Sequence, residues 1–270
     1  SSSYQPAEAG PECRPELVGR SGPGSQAGRL DKENELNIGI PVTGVGSFRL
    51  SAFRQRGSIS AVLRYVPGEI PALNTLALPP VLADMIMEKR GLLLVVGSTG
   101  SGKSTTIAAM LDHRNAISTG HILTLEDPIE FLFRNKKSIV NQREIGNDAS
   151  DLTVALKNAL RQAPDCILIG EIRDKETMSA ALAYAQSGHL VVATLHANNS
   201  YQALTRVINF YPIENRQSLL ADLSSSLRAI VSQRLVSAID GKRRAAVEVM
   251  LNTRHICLLY TSDAADDTPC

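Results

Sequence analysis

Residues 97–104 run Gly-Ser-Thr-Gly-Ser-Gly-Lys-Ser. Glycines at the first, fourth and sixth positions let a backbone fold around an anion with its N–H groups turned inward. Lys103 then supplies a cation for β- and γ-phosphates, and the Ser104 hydroxyl is a hard ligand suited to Mg²⁺. An apolar run, Leu92–Val96, leads into the loop, and a helix-period stretch, Thr105 to His113, leads out of it. The loop therefore opens on a helix N-terminus, whose dipole favours negative charge. The competing reading is a bare glycine-rich turn. The pattern with its flanks favours binding of nucleotide phosphates by Gly97, Ser98, Thr99, Gly100, Ser101, Gly102, Lys103, Ser104 and Thr105.

Acidic residues cluster in two further places. Cys166-Ile167-Leu168-Ile169-Gly170-Glu171 is an apolar run that ends in a carboxylate. A carboxylate at the C-terminal end of a core strand lies where α/β sheets bind ligands, and there it can orient Mg²⁺ or its waters. Glu126, Asp127 and Glu130 follow the run Ile122–Leu125 and place three carboxylates within five positions. Such a cluster repels itself unless a cation is near, and a solvated acidic loop is the alternative. His189 and His196 bracket the run Leu190–Leu195; they are either satisfied core groups or site residues. His113, His121 and His255 have no comparable context.

The elements that would position these groups alternate in type. Leu92–Val96, Ile122–Leu125, Cys166–Ile169 and Leu190–Leu195 are too short for typical helices and are bounded by Gly or polar residues, as buried strands are. Val81 to Lys89 predicts a short helix. Asp151 to Ala163 predicts another, with Leu152, Ala155, Leu156, Ala159, Leu160 and Ala163 on one face, Ser150 as cap and Pro164 as stop. Residues 214–235 predict a longer amphipathic helix, followed by a strand near Ala246–Leu251. This alternation predicts an α/β fold with a parallel-rich sheet covered on both faces. Upstream, Glu35 to Val66 has short alternating segments with Gly-rich turns around Gly44, Gly46 and Gly57, which predicts antiparallel strands. Pro67, Pro71, Pro79 and Pro80 mark a linker. Residues 1–30 are rich in Pro, Gly and Ser, which predicts disorder or sequence foreign to the fold.

Composition excludes several classes. With 270 residues and 43% hydrophobic content, the chain can bury a real core. It carries 28 basic and 27 acidic residues, which is no electrostatic footprint for nucleic acid or an anionic membrane. Aromatics make up 4% and Trp is absent, so stacking platforms for single strands are not apparent. Apolar runs such as Leu92–Val96 are far short of the ~20 residues that cross a bilayer. Cys13, Cys166, Cys257 and Cys270 have no metal-ligand spacing. A cytoplasmic protein with reduced thiols is the expectation.

Taken in order, these segments resemble the type II secretion and type IV pilus ATPases, which are RecA-like hexameric motors. Residues 97–106 resemble the Walker A element of that family, 123–131 (LTLEDPIEF) its Asp box, 168–174 (LIGEIRD) its Walker B and 187–197 (SGHLVVATLHA) its His box. Within the family, GHLVVATLHANN, RVINFYP and VEVMLNT are similar to the PilT/PilU retraction group, leaning to the PilU branch. The four-cysteine zinc module typical of extension and type II secretion ATPases has no counterpart here. The resemblance implies Mg-ATP as the bound species and Glu130 as the general base. It implies that Ser104 and Glu171 hold the metal and that His189 and His196 sense the γ-phosphate. Arg49 and Arg64 match arginines of the N-terminal domain that close on the nucleotide, a role suited to permanently charged forks.

The implied organisation is a non-family segment at 1–30, part of a truncated α+β, PAS-like N-terminal domain and linker at 31–78, a RecA-like ATPase domain at 79–253, and a tail at 254–270 that does not look native. The implied partners are other copies in a homo-hexamer, a sister retraction ATPase and an inner-membrane pilus platform protein, with no nucleic acid. Peripheral association with the inner membrane follows from those partners. The alternatives are an accessory ATP-binding subunit of a sister motor and a type II secretion or pilus extension ATPase. With both ends departing from the family, the chain is expected to bind Mg-ATP as a monomer and turn it over poorly. Lys103→Ala removes the cation facing the phosphates, so tight Mg-ATP binding should be lost; calorimetry showing unchanged affinity refutes the phosphate-loop assignment.

Overall fold

The computed structural model describes residues 30, 34–42, 46–66, 69–239, 241 and 243–253. The segments expected to be foreign, 1–30 and 254–270, lie outside the described residues apart from Leu30, and so does the turn expected at Gly44. The chain forms two compact units, within residues 1–68 and 69–270.

The first unit is an antiparallel sheet of β1 (Glu35–Val42), β2 (Gly46–Gln55) and β3 (Ser58–Val66), in the order β1-β2-β3. Arg56 and Gly57, both at positive φ, make the two-residue hairpin turn between β2 and β3. Alternation sends Leu36 and Ile38 of β1 and Leu50 and Ala52 of β2 to one face, where they pack with Leu30.

The second unit is built on a seven-stranded sheet. Along the chain it contains α1 (Val81–Ile86), β4 (Gly91–Val96), α2 (Lys103–Ile117), β5 (Gly120–Glu126), β6 (Ser138–Glu144) and α3 (Leu152–Ala159). It continues with β7 (Cys166–Ile169), α4 (Lys175–Gln186), β8 (Leu190–Leu195), α5 (Ser200–Asn209), α6 (Arg216–Ser226), β9 (Leu227–Ser237) and β10 (Arg243–Leu251). The strand order is β10-β9-β4-β8-β7-β5-β6. Every pairing is parallel except β9 with β10. The expected α/β architecture is the observed one.

Residues of β4 are fully buried, and their alternation separates two apolar layers. Leu92, Leu94 and Val96 face Leu156 of α3, Met178 and Leu182 of α4, Leu204 and Val207 of α5, and Leu219 and Leu223 of α6. Leu93 and Val95 face Leu82, Met85 and Ile86 of α1 and Ile107, Met110 and Leu111 of α2. Helices on both faces leave the strand ends as the accessible part of the sheet.

Several local expectations are corrected. Residues 214–235 are not one helix: α6 ends at Ser226 and Leu227 opens β9. Ile230 packs into one apolar layer and Ala229 and Val231 into the other, while β4 and β10 pair with both edges of β9, and such a site favours an extended strand. The cap of α3 is Asp151, not Ser150; its carboxylate accepts from the Val154 N–H at 2.8 Å. That helix tightens into a 3₁₀ turn over Leu160–Gln162, and Ala163 leaves it in the left-handed region ahead of Pro164.

One buried side chain holds the segment between β5 and β6 to α2. Asn115 of α2 is fully buried; its Nδ2 donates to the Arg134 carbonyl at 2.8 Å and its Oδ1 accepts from the Lys136 N–H at 3.1 Å. Asn115→Ala strands both backbone groups, which should cost about 2 kcal/mol. The urea midpoint should fall with an unchanged slope; an unchanged midpoint means the loop is anchored by something else.

Candidate active site

The phosphate loop begins where β4 ends. Gly97 has φ 156° and Gly102, the cap of α2, has φ 87°, both in the region glycine alone adopts cheaply. Close neighbours exclude a side chain at each: a Cβ on Gly97 would lie 2.4 Å from the Gln233 carbonyl oxygen, and one on Gly102 would lie 2.8 Å from Gln233 Nε2. Lys103 Nζ donates to the carbonyls of Gly97 and Ser98 at 2.8 and 2.9 Å. Burial lowers the Lys103 pKa, and the carboxylates of Glu171 and Glu130 oppose that shift. The cation is therefore partly dehydrated and faces two acids.

A cavity of about 510 Å³ opens beside the loop at the C-terminal ends of the strands. Thr99, Gly100, Lys103 and Ser104 line it from the loop and α2; Glu126, Asp127 and Glu130 line it from β5 and the segment after it. Glu171 and Arg173 follow β7, and Thr194 and His196 come from β8 and its end. Ser98 and Ser101 line a separate polar depression with Asn198, Arg234 and Arg243. Thr105 is half-buried on α2.

Strand-end hydrogen bonds fix the order of the acids. The Gly170 N–H donates to the Leu125 carbonyl at 2.8 Å, the Ile172 N–H donates to the Thr194 carbonyl at 2.9 Å, and the Thr194 hydroxyl donates to the Gly170 carbonyl. Thus the ends of β5, β7 and β8 are laced together. Glu171 Oε2 accepts from Arg173 Nε at 2.7 Å, and Glu171 Oε1 lies 3.2 Å from His196 Nε2. Arg173 also approaches Asp127 at 3.7 Å. The Glu171 hydrogen bond is the main cause that raises the Arg173 pKa.

The three acids of the Asp box differ in surroundings. Glu126 is the most enclosed: its Oε1 accepts from the Thr124 hydroxyl at 2.7 Å and from Gln142 Nε2 at 3.3 Å. Burial raises its pKa despite those donors and the Glu130 backbone N–H. Glu130 is exposed on the cavity wall. The sequence singled out Glu130, Glu171 and His196 beside the loop; it gave no role to Arg173 or Thr194. A basic residue two positions past Glu171 was the available signal for the first. For Thr194 there was none, because its part depends on a neighbouring strand.

His189 does not line the cavity, and Arg49 and Arg64 belong to the other unit. His189 precedes β8, at the opposite end of that strand from His196, about 20 Å away at strand spacing. Its Nδ1 lies 3.2 Å from the Tyr184 carbonyl and 3.1 Å from the Ser187 hydroxyl, with its ring edge-on to Tyr184. Arg49 of β2 and Arg64 of β3 are in the first unit, directly opposite each other in the ladder. Like charges so placed repel. The Arg49 Nη2 is buried without a hydrogen-bond partner among the described residues.

A glycine-rich loop leading from a core strand into a helix, with acids on the neighbouring strand ends, defines the P-loop α/β class. The chain belongs to the type II/IV secretion system protein family, whose model matches residues 28–267. It is 52% identical to the type IV pilus ATPase PilU of Pseudomonas aeruginosa over 82% of this chain and 58% of that protein. It is 44% identical to the type IV pilus ATPase PilT of the same organism over 85% of this chain and 67% of that protein. A crystal structure of the pilus retraction motor PilT with bound ADP superposes with a TM-score of 0.86 at 43% identity, covering 88% of this chain and 70% of that one. The chain thus spans little more than half the length of its PilU relative and is a PilT/PilU-type member of the family.

The Glu126 environment makes stability depend on pH. A carboxyl whose folded pKa is raised above its ordinary value of 4.5 favours the fold while protonated, and that contribution is lost as pH rises through the folded value. Glu126→Gln keeps the shape without the charge. Its melting temperature should match the unsubstituted chain near pH 4 and exceed it increasingly toward pH 7. A constant difference across that range refutes the assignment.

Proposed function

We propose that this chain carries the ATP-hydrolysing core of a type IV pilus retraction motor. The observation that carries the reading is the meeting of Lys103, Glu130, Glu171 and His196 at one cavity beside the phosphate loop. The similarity to PilU and PilT supports it. ATP enters with its phosphates against the loop N–H groups and the N-terminus of α2, and Lys103 exchanges its own loop carbonyls for phosphate oxygens. Ser104 and Glu171 supply hard oxygen donors in the same cavity, a set that fits Mg²⁺, which takes one or two protein oxygens plus phosphates and water. When bound, Mg²⁺ neutralises charge on the β- and γ-oxygens.

Glu130 accepts the proton of the attacking water as its oxygen bonds to the γ-phosphorus and the bond to the ADP oxygen breaks. His196 lies against Glu171, which links the phosphate side of the cavity to the loop entering α5. Arg49 and Arg64, on the partial N-terminal domain of residues 31–78, neutralise phosphate charge when that domain closes on the ATPase domain of residues 79–253. Subunits of a homo-hexamer pass that closure to an inner-membrane platform protein and withdraw pilin. No helix among the described residues is long and apolar enough to cross a membrane.

Glu130→Gln keeps reach but removes the base. Nucleotide should still bind while phosphate release falls by at least ~10²-fold. If hydrolysis survives and is lost instead with Glu126→Gln, the base is the other glutamate; if it survives both, the ATPase mechanism is wrong. Adding a sister retraction ATPase to the assay separates a motor from a subunit whose own turnover is dispensable.

A further inference from the structure

Gln233 lies on β9, one residue past Ser232, the last partner of β4, and is 2% exposed. Its Nε2 donates to the Ser101 carbonyl at 2.8 Å, and its Oε1 accepts from the Thr106 hydroxyl at 2.8 Å. One side chain therefore ties the phosphate loop to the first turns of α2, from a strand far along the chain. The same residue sets the space the loop may occupy, since both Gly97 and Gly102 would collide with it if they carried a Cβ.

The direction of the Ser101 carbonyl matters because a trans peptide is planar, with C=O and the following N–H opposed. Holding that carbonyl toward β9 turns the Gly102 N–H away from β9. We propose that Gln233 is a positioning residue of the phosphate loop, whose amide orients the Ser101–Gly102 peptide for a nucleoside diphosphate or triphosphate. This rests on the nucleotide reading of the loop. The amide meets both demands, a donor for the Ser101 carbonyl and an acceptor for the Thr106 hydroxyl, whereas an ionised carboxylate has no donor.

The test is a titration of the whole chain with Mg²⁺ and a fluorescent N-methylanthraniloyl derivative of ADP, at pH 8 and pH 5.5. Gln233→Glu should bind at least tenfold more weakly at pH 8, where the ionised oxygen confronts the Ser101 carbonyl. Burial favours the protonated acid, which can donate, so at pH 5.5 affinity should return to within threefold of the unsubstituted chain. Packing loss alone would not produce that recovery. Unchanged binding at pH 8, or an equal loss at both pH values, overturns the proposal. If Gln233→Glu loses its far-UV spectrum at either pH, Thr106→Val decides: a loss of threefold or more supports the bridge, and unchanged affinity overturns it. Failure of the unsubstituted chain to bind overturns the nucleotide reading itself and this proposal with it. A defect confined to the variants bears on Gln233 alone.

Discussion

Strand β4 is closed on every side but one. Its edges are hydrogen-bonded to β8 and β9, and its faces are covered by two separate apolar layers. Only its C-terminal end remains open, so the chain must leave there through a loop that cannot spread sideways. Crowding from Gln233 then selects glycine at both Gly97 and Gly102. The resulting turn leaves N–H groups at the start of α2 without helical partners, which is what makes the loop receptive to an anion.

The strand order spreads chemistry across the cavity in the same sequence as the sheet. From β9 to β5 the strand ends present Gln233, the phosphate loop, His196, Glu171 and the Asp-box acids. The charges alternate. Lys103 faces Glu171 and Glu130, while Glu171 is shared by His196 and Arg173, and Arg173 extends to Asp127. Arg173 and Asp127 are exposed, and that link is correspondingly weak.

What could be read from sequence follows from burial. Strands such as Leu92–Val96 and Cys166–Ile169 are buried on both faces, so they are unbroken apolar runs between punctuating residues. The phosphate loop was legible because its glycines and lysine are demanded locally. Strand β6, Ser138-Ile-Val-Asn-Gln-Arg-Glu, was not, because an edge strand buries little and its composition passes for a loop. Residues 227–231 misled because Leu-Arg-Ala-Ile-Val continues an amphipathic pattern from α6, and only pairing with β4 makes it a strand. Among Glu126, Asp127 and Glu130, sequence could not tell which carboxylate is enclosed; that depends on Thr124 and Gln142, the second from a neighbouring strand.

The pairing of β4 has a bearing on synthesis. Its partners are β8 and β9, so the strand that carries the loop is flanked on one side only until residues 227–232 have left the ribosome. A nascent chain ending near residue 210 already holds the complete glycine-lysine motif but neither the β9 edge nor the Gln233 amide. A truncated messenger that stops before β9 would yield a chain with an open sheet edge, of the kind that quality-control machinery clears.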